Sequence, residues 1–184
     1  MTWYEEQISN RNYLSPVGFK LTLDKAPKSA YLCQSANLPQ ISIGTPEQPT
    51  PFKRIPLAGD VSYEDLTISF LVDEDLTNYL EIHNWLKSIS AAENFNDYYD
   101  WRQQNKEVGN QTIYSDGTLI IYTSNLRPKY FVKFKDMFPS SLTTLEFNAG
   151  ITDTEYFTAT VNFKYSIYIF INYFNPHFLY KTIL

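Results

Sequence analysis

Residues 157–169 read Phe157-Thr158-Ala159-Thr160-Val161-Asn162-Phe163-Lys164-Tyr165-Ser166-Ile167-Tyr168-Ile169. Phe157, Ala159, Val161, Phe163, Tyr165 and Ile167 alternate with Thr158, Thr160, Asn162, Lys164 and Ser166. A period of two marks a strand with one face buried and the other wet. The pattern recurs at Val17, Phe19, Leu21 and Leu23, and again at Leu66, Ile68, Phe70 and Val72. Weaker strand signals lie at 30–36, 118–123, 130–137 and 142–148. The turn Asp24-Lys25-Ala26-Pro27-Lys28 predicts a hairpin between the first two strands. One stretch has helical spacing instead: Leu76, Tyr79, Leu80, His83, Leu86 and Ile89. Asp73-Glu74-Asp75 stands where it can cap that helix and complement its dipole. The predicted fold is therefore mainly β (α+β), an antiparallel sandwich or barrel with one flanking helix.

The composition supports a packed domain. Of 184 residues, 43% are hydrophobic and 19% charged, and the 15 tyrosines and 13 phenylalanines favour strands and large contact surfaces. A net charge of -5 argues against a general nucleic-acid binder, which carries a basic stripe. The single cysteine, Cys33, cannot form an internal disulfide. The N-terminus carries Glu5 and Glu6 where a secretory signal is basic. The most lipid-like stretch, Phe163 to Phe174, is broken by Lys164, Ser166 and Asn172, short of the roughly 18 apolar residues of a spanning helix. A protein made in a cytoplasm, with no membrane partner, is expected.

Catalytic patterns are missing. His83 and His177 fall on different elements, without a Cys or His at metal-ligand spacing. Cys33 sits in a strand pattern, where a thiol is ordinarily buried and inert. The run Asp73-Glu74-Asp75 lacks the glycine and the terminal glutamate of a calcium loop. No Gly-x-Ser-x-Gly elbow or Gly-x-x-x-x-Gly-Lys loop occurs. The expectation is no enzyme, no cofactor and no metal. An aromatic-rich β-sandwich that binds carbohydrate or a receptor is the rival reading, but most rings fall on inward strand positions.

Prolines at 46, 49, 51 and 56 keep residues 44–57 out of a central sheet. This segment reads as a rigid projection, either a plain surface loop or an arm that docks on a neighbour through Phe52, Ile55 and Leu57. The chain resembles the tail tube proteins of contractile-tailed bacteriophages, including the ring proteins that start the tube at the baseplate. The likeness rests on Phe19-Lys20-Leu21, on Cys33 followed by Leu38-Pro39, and on Ala58-Gly59-Asp60. It continues through the strand 63–72, Asp73-Glu74, the helix with Trp85, and the closing strand 155–165.

The resemblance spans about residues 12–167 and implies an N-terminal arm at 1–15, a tube-like β domain at 16–167 and a C-terminal extension at 168–184. The polar excursion 93–111 and that extension depart from simple tube subunits. The resemblance further implies six-fold rings in the virion tail, assembled in the host cytoplasm, whose strands join in a barrel around a DNA channel. Its partners would be adjacent rings, sheath, and baseplate or tail-terminator proteins, with phage DNA passing non-specifically. Phe52, Lys53, Arg54 and Ile55 are then the expected ring-stacking residues. Thr158, Thr160, Asn162 and Lys164 are the expected channel lining, with Lys164 pairing an acid such as Glu146.

Overall fold

The computed structural model describes residues 12–90, 114–148, 150 and 156–172. The polar excursion 93–111 and His177 lie outside the described residues. The strands, in chain order, are β1 (Phe19–Leu23), β2 (Cys33–Ala36), β3 (Ile41–Ile43), β4 (Glu47–Pro49), β5 (Arg54–Pro56), β6 (Val61–Tyr63) and β7 (Leu66–Leu71). After these come β8 (Ser115–Tyr122), β9 (Pro128–Leu142), β10 (Thr158–Lys164) and β11 (Ile167–Asn172). Two helices accompany them, α1 (Pro27–Tyr31) and α2 (Thr77–Ser90).

All pairings among these strands are antiparallel. The main sheet has the order β1-β8-β9-β10-β7-β2, with β11 also on β9. β9 makes this one structure. Its first half pairs β8 and β11, and its second half pairs β10. Between the halves, Asp116 of β8 opposes both Lys135 and Asp136 of β9, a bulge at which Asp136 takes a positive φ of 54°. The Asp116 carboxylate holds the bend, accepting from the Asp136 N–H at 3.3 Å and from Lys133 Nζ at 3.3 Å.

Ile68, Phe70, Val161, Phe163, Leu119, Val132 and Phe134 point into one core, which Leu21 and Leu23 extend. The alternation read from the sequence thus holds within β1, β7 and β10 but not at its flanks. Val17, Phe157 and Ile167, expected inside, are exposed because they lie beyond the paired strand segments or across the break at 165–166. Trp85 of α2 closes the core against Phe163, with ring centroids 5.8 Å apart, and Lys25 Nζ lies over the Trp85 ring, 5.9 Å from its centroid. Asn78, fully buried, ties the start of α2 to the sheet. Its amide donates to the Leu71 carbonyl at 2.7 Å and accepts from the Asp73 N–H at 3.2 Å.

Several expectations need correction. The helix is not alone: Pro27 starts a second, short helix where the reading placed a turn and the first residues of a strand. β1 and β2 do not form a hairpin, because β1 pairs β8 and β2 pairs β7. On α2 the buried side carries Asn78, Ile82 and Trp85, while Leu80 and His83 are exposed. The acidic run does not cap by the expected route: no acid lies in the first turn, and Asp73 accepts a hydrogen bond from the Thr77 hydroxyl at 2.6 Å. Residues 130–142 form one strand rather than the end of one and the start of another, and 143–148 is irregular. The last strand breaks at Tyr165-Ser166, so Ile167–Asn172, assigned mostly to an extension, is a strand of the main sheet.

Candidate assembly interface

β2, β7, β10 and the second half of β9 form a four-stranded wall whose inner face is the core. Its other face is polar and stitched by side chains. Thr67, Asn162 and Ser141 lie in one row across three strands. The Thr67 hydroxyl donates to Asn162 Oδ1 at 2.9 Å, and Asn162 Nδ2 donates to Ser141 Oγ at 3.0 Å. In the next row the Ser69 and Thr160 hydroxyls share a hydrogen bond of 2.9 Å. Thr158 is exposed beyond it. Lys164 pairs with Asp65 at 3.1 Å, not with Glu146, because Asp65 immediately precedes the strand beside it. The four residues expected to share a face do share it, and the one cation among them is neutralised there.

Both borders of this wall are open among the described residues. β2 has a partner only in β7, and the second half of β9 only in β10. Each border carries a bulge, at Gln34 in β2 and at Ser140 in β9, and the buried Pro139 beside the second adds a residue with no N–H to donate. An open row of strand N–H and C=O groups is a template for another chain.

From the end of this wall projects a ribbon in two pieces. β3 pairs β6, the chain crosses at Gly44 and Gly59, and β4 pairs β5. The crossing is tight: the Gly59 N–H donates to the Gly44 carbonyl at 2.7 Å, and the Gly44 N–H to the Asp60 carbonyl at 2.9 Å. A Cβ on Gly59 would lie 2.7 Å from the Gly44 oxygen and 2.9 Å from Pro46 Cδ. Gly59→Ala is therefore expected to open the crossing at a local cost of about 1–3 kcal/mol. Limited proteolysis should show faster cleavage within 41–63, with the denaturation midpoint of the main sheet unchanged.

At the ribbon tip the Thr50 hydroxyl and the Lys53 carbonyl are hydrogen-bonded, and Arg54 pairs with Glu47 at 3.1 Å. Phe52 is 99% exposed, and Ile41, Ile43, Ile55, Leu57 and Val61 are exposed along the length of the ribbon. The four stacking candidates Phe52, Lys53, Arg54 and Ile55 thus stand together on the outer hairpin. The ribbon thus carries a run of exposed apolar side chains along its length.

Among the described residues no metal-ligating or nucleophilic cluster collects around Cys33 or His83. Burial pushes the Cys33 thiol up to about 11, and it donates to the Ser35 carbonyl, which suits an inert side chain. Among the described residues no three His, Cys, Asp or Glu side chains are placed to hold a metal, and no helix is long and apolar enough to cross a membrane.

The sequence matches the family described as phage tail tube protein over residues 9–171. No curated protein matches it. Among solved structures, a chain of the anti-feeding prophage cap, the AFP tube-terminating cap, has a TM-score of 0.59 at 17% identity, covering 94% of this chain and 99% of that one. A chain of the PVC sheath/tube terminator in the extended state, from an extracellular contractile injection system, gives 0.59 at 18% identity over 88% and 99%. A chain of the PVC sheath-tube complex in its extended state gives 0.58 at 15% over 94% and 99%. At these identities the likeness is one of fold.

Proposed function

The chain belongs to the phage tail tube protein family, and its role is that of a structural tube component; we propose that six copies close into a ring around a channel for DNA. In this reading β2 of one subunit adds to the second half of β9 in the next, so that four strands from each copy make a continuous barrel. The observation that carries the proposal is the coincidence of two open borders with a neutral polar face on the same four strands. A wall of Thr, Ser and Asn lets DNA slide, because retention of phosphates needs Lys and Arg, and Lys164 is paired with Asp65.

Rings then stack through the ribbon, with Phe52 and Ile55 as apolar anchors and Lys53 and Arg54 at a polar rim. The assembly is part of a virion tail, with sheath above the tube wall and baseplate or terminator proteins at its ends. Phe52→Asp with Ile55→Asp is expected to leave the circular dichroism spectrum and the denaturation midpoint unchanged while abolishing stacked rings in negative-stain micrographs. Normal tails built from the doubly charged variant would reduce the ribbon to a surface loop. A chain that stays monodisperse and monomeric at high concentration, and forms no ring with tail components, would overturn the ring itself.

A further inference from the structure

The two ends of the polar wall differ in kind. β7 begins at Leu66, directly after the ribbon, and ends at Leu71, before α2; β2 begins at Cys33, directly after α1, and ends at Ala36, before the ribbon. Since the two strands are antiparallel, the hairpin tip and the α1–α2 corner lie at opposite ends of the wall, separated by at least a six-residue strand, about 20 Å. Stacking like rings brings opposite ends of two copies together. Such a contact is heterologous, so the two surfaces must complement each other rather than themselves.

The corner offers that complement. A groove of about 390 Å³ runs between α1 and the start of α2, walled by Pro27, Tyr31, Leu32, Asp73 and Thr77. Tyr31 stands open above it, 87% exposed. Glu74 and Asp75 are exposed beside Asp73. Lys28 borders the groove too, but its charge acts on Glu81, whose carboxylate also accepts hydrogen bonds from the backbone of Lys28 and Ser29. At the other end, Arg54 is engaged by Glu47, which leaves Lys53 as the charge beside the bare Phe52 ring.

We propose that Phe52 of one copy seats in the α1–α2 groove of a copy in the adjoining ring, against Pro27 and Tyr31, with Lys53 facing Glu74 and Asp75. The assignment rests on the stacking reading above and supplies the surface that receives the ribbon. An aromatic pair closes the contact, while the opposed charges set its register and make it sensitive to salt.

Assemblies of the full chain test it. In a Cys33→Ser background, Pro51→Cys combined with Lys28→Cys, which flank the contact and leave both rings in place, should give a ladder of covalently linked subunits after treatment with a short bismaleimide. The linked fraction should exceed that of either single-cysteine variant at least ten-fold. Stacked rings in micrographs with no ladder on the gel overturn the groove and leave stacking intact; preparations in which no rings stack overturn both. A charge exchange gives a second readout. Lys53→Glu should reduce stacked rings several-fold, and adding Asp75→Lys should restore them. An exchange that restores nothing overturns the placement of Lys53.

Discussion

Trp85→Ala is expected to cost about 3–5 kcal/mol. Trp85 is 2% exposed, and its ring meets Phe163 on the strand that the polar wall is built around. Removing it opens a void between α2 and the sheet that Ile82 is too short to fill. The buried amide of Asn78, whose bonds to Leu71 and Asp73 depend on the helix staying docked, then loses its support. Leu80→Ala on the same helix is the control, since Leu80 is exposed and its loss should stay within roughly 0.5 kcal/mol. Urea denaturation of the two variants measures both. Equal losses would mean that α2 docks by the face its spacing suggests and not by the one carrying Trp85.

The second large effect concerns passage rather than folding. Thr158→Arg with Thr160→Arg should slow DNA ejection at least about ten-fold in low salt, because in the proposed six-copy ring two added charges per subunit put twelve cations on the face assigned to the channel. Both positions suit the test. Thr158 is exposed, and Thr160 loses only its shared hydroxyl bond with Ser69, from which a long side chain can extend toward solvent. The delay should fade above about 0.1 M salt, where charges more than about 10 Å apart are screened. Substituting glutamine at both positions controls for bulk and should leave the rate within about two-fold. Particles that assemble normally and eject at the wild-type rate in low salt would show that this face looks elsewhere.

What could be read from the sequence follows from the range of the interactions involved. Alternation is local, and it placed Leu66, Ile68, Phe70, Val161 and Phe163 in the core and Thr160, Asn162 and Lys164 opposite them. The partner of Lys164 is not local: Asp65 lies 99 residues away, and only the β7–β10 register brings the two together. Pro139 is a misleading local signal. Proline ordinarily closes a central strand, but the Ser140 bulge lets β9 continue through it along an open border.

On α2 the apolar spacing of Leu76, Tyr79, Leu80, His83, Leu86 and Ile89 favours one face, and Tyr79, Leu86 and Ile89 do pack against the core. The helix is turned, however, so that Trp85, with more area to bury, and Asn78, with polar bonds to complete, lie deepest while Leu80 and His83 face out. Pro27 was read as a turn residue, yet at the first position of a helix its missing N–H costs nothing. The ribbon was visible as a proline-rich projection, whereas the groove at the opposite end was not, since its walls come from two helices far apart in the chain.

One strand has a mechanical consequence. β9 passes from the half of the sheet shared with β8 and β11 into the polar wall without a chain break, so the two halves cannot slip past each other as separately attached sheets could. Shear between them is carried by covalent backbone, and compliance concentrates at the Asp136 bend, where Asp116 and Lys133 act as a brace. In the tube proposed above, a load along the axis is thereby spread across both halves of every subunit's sheet.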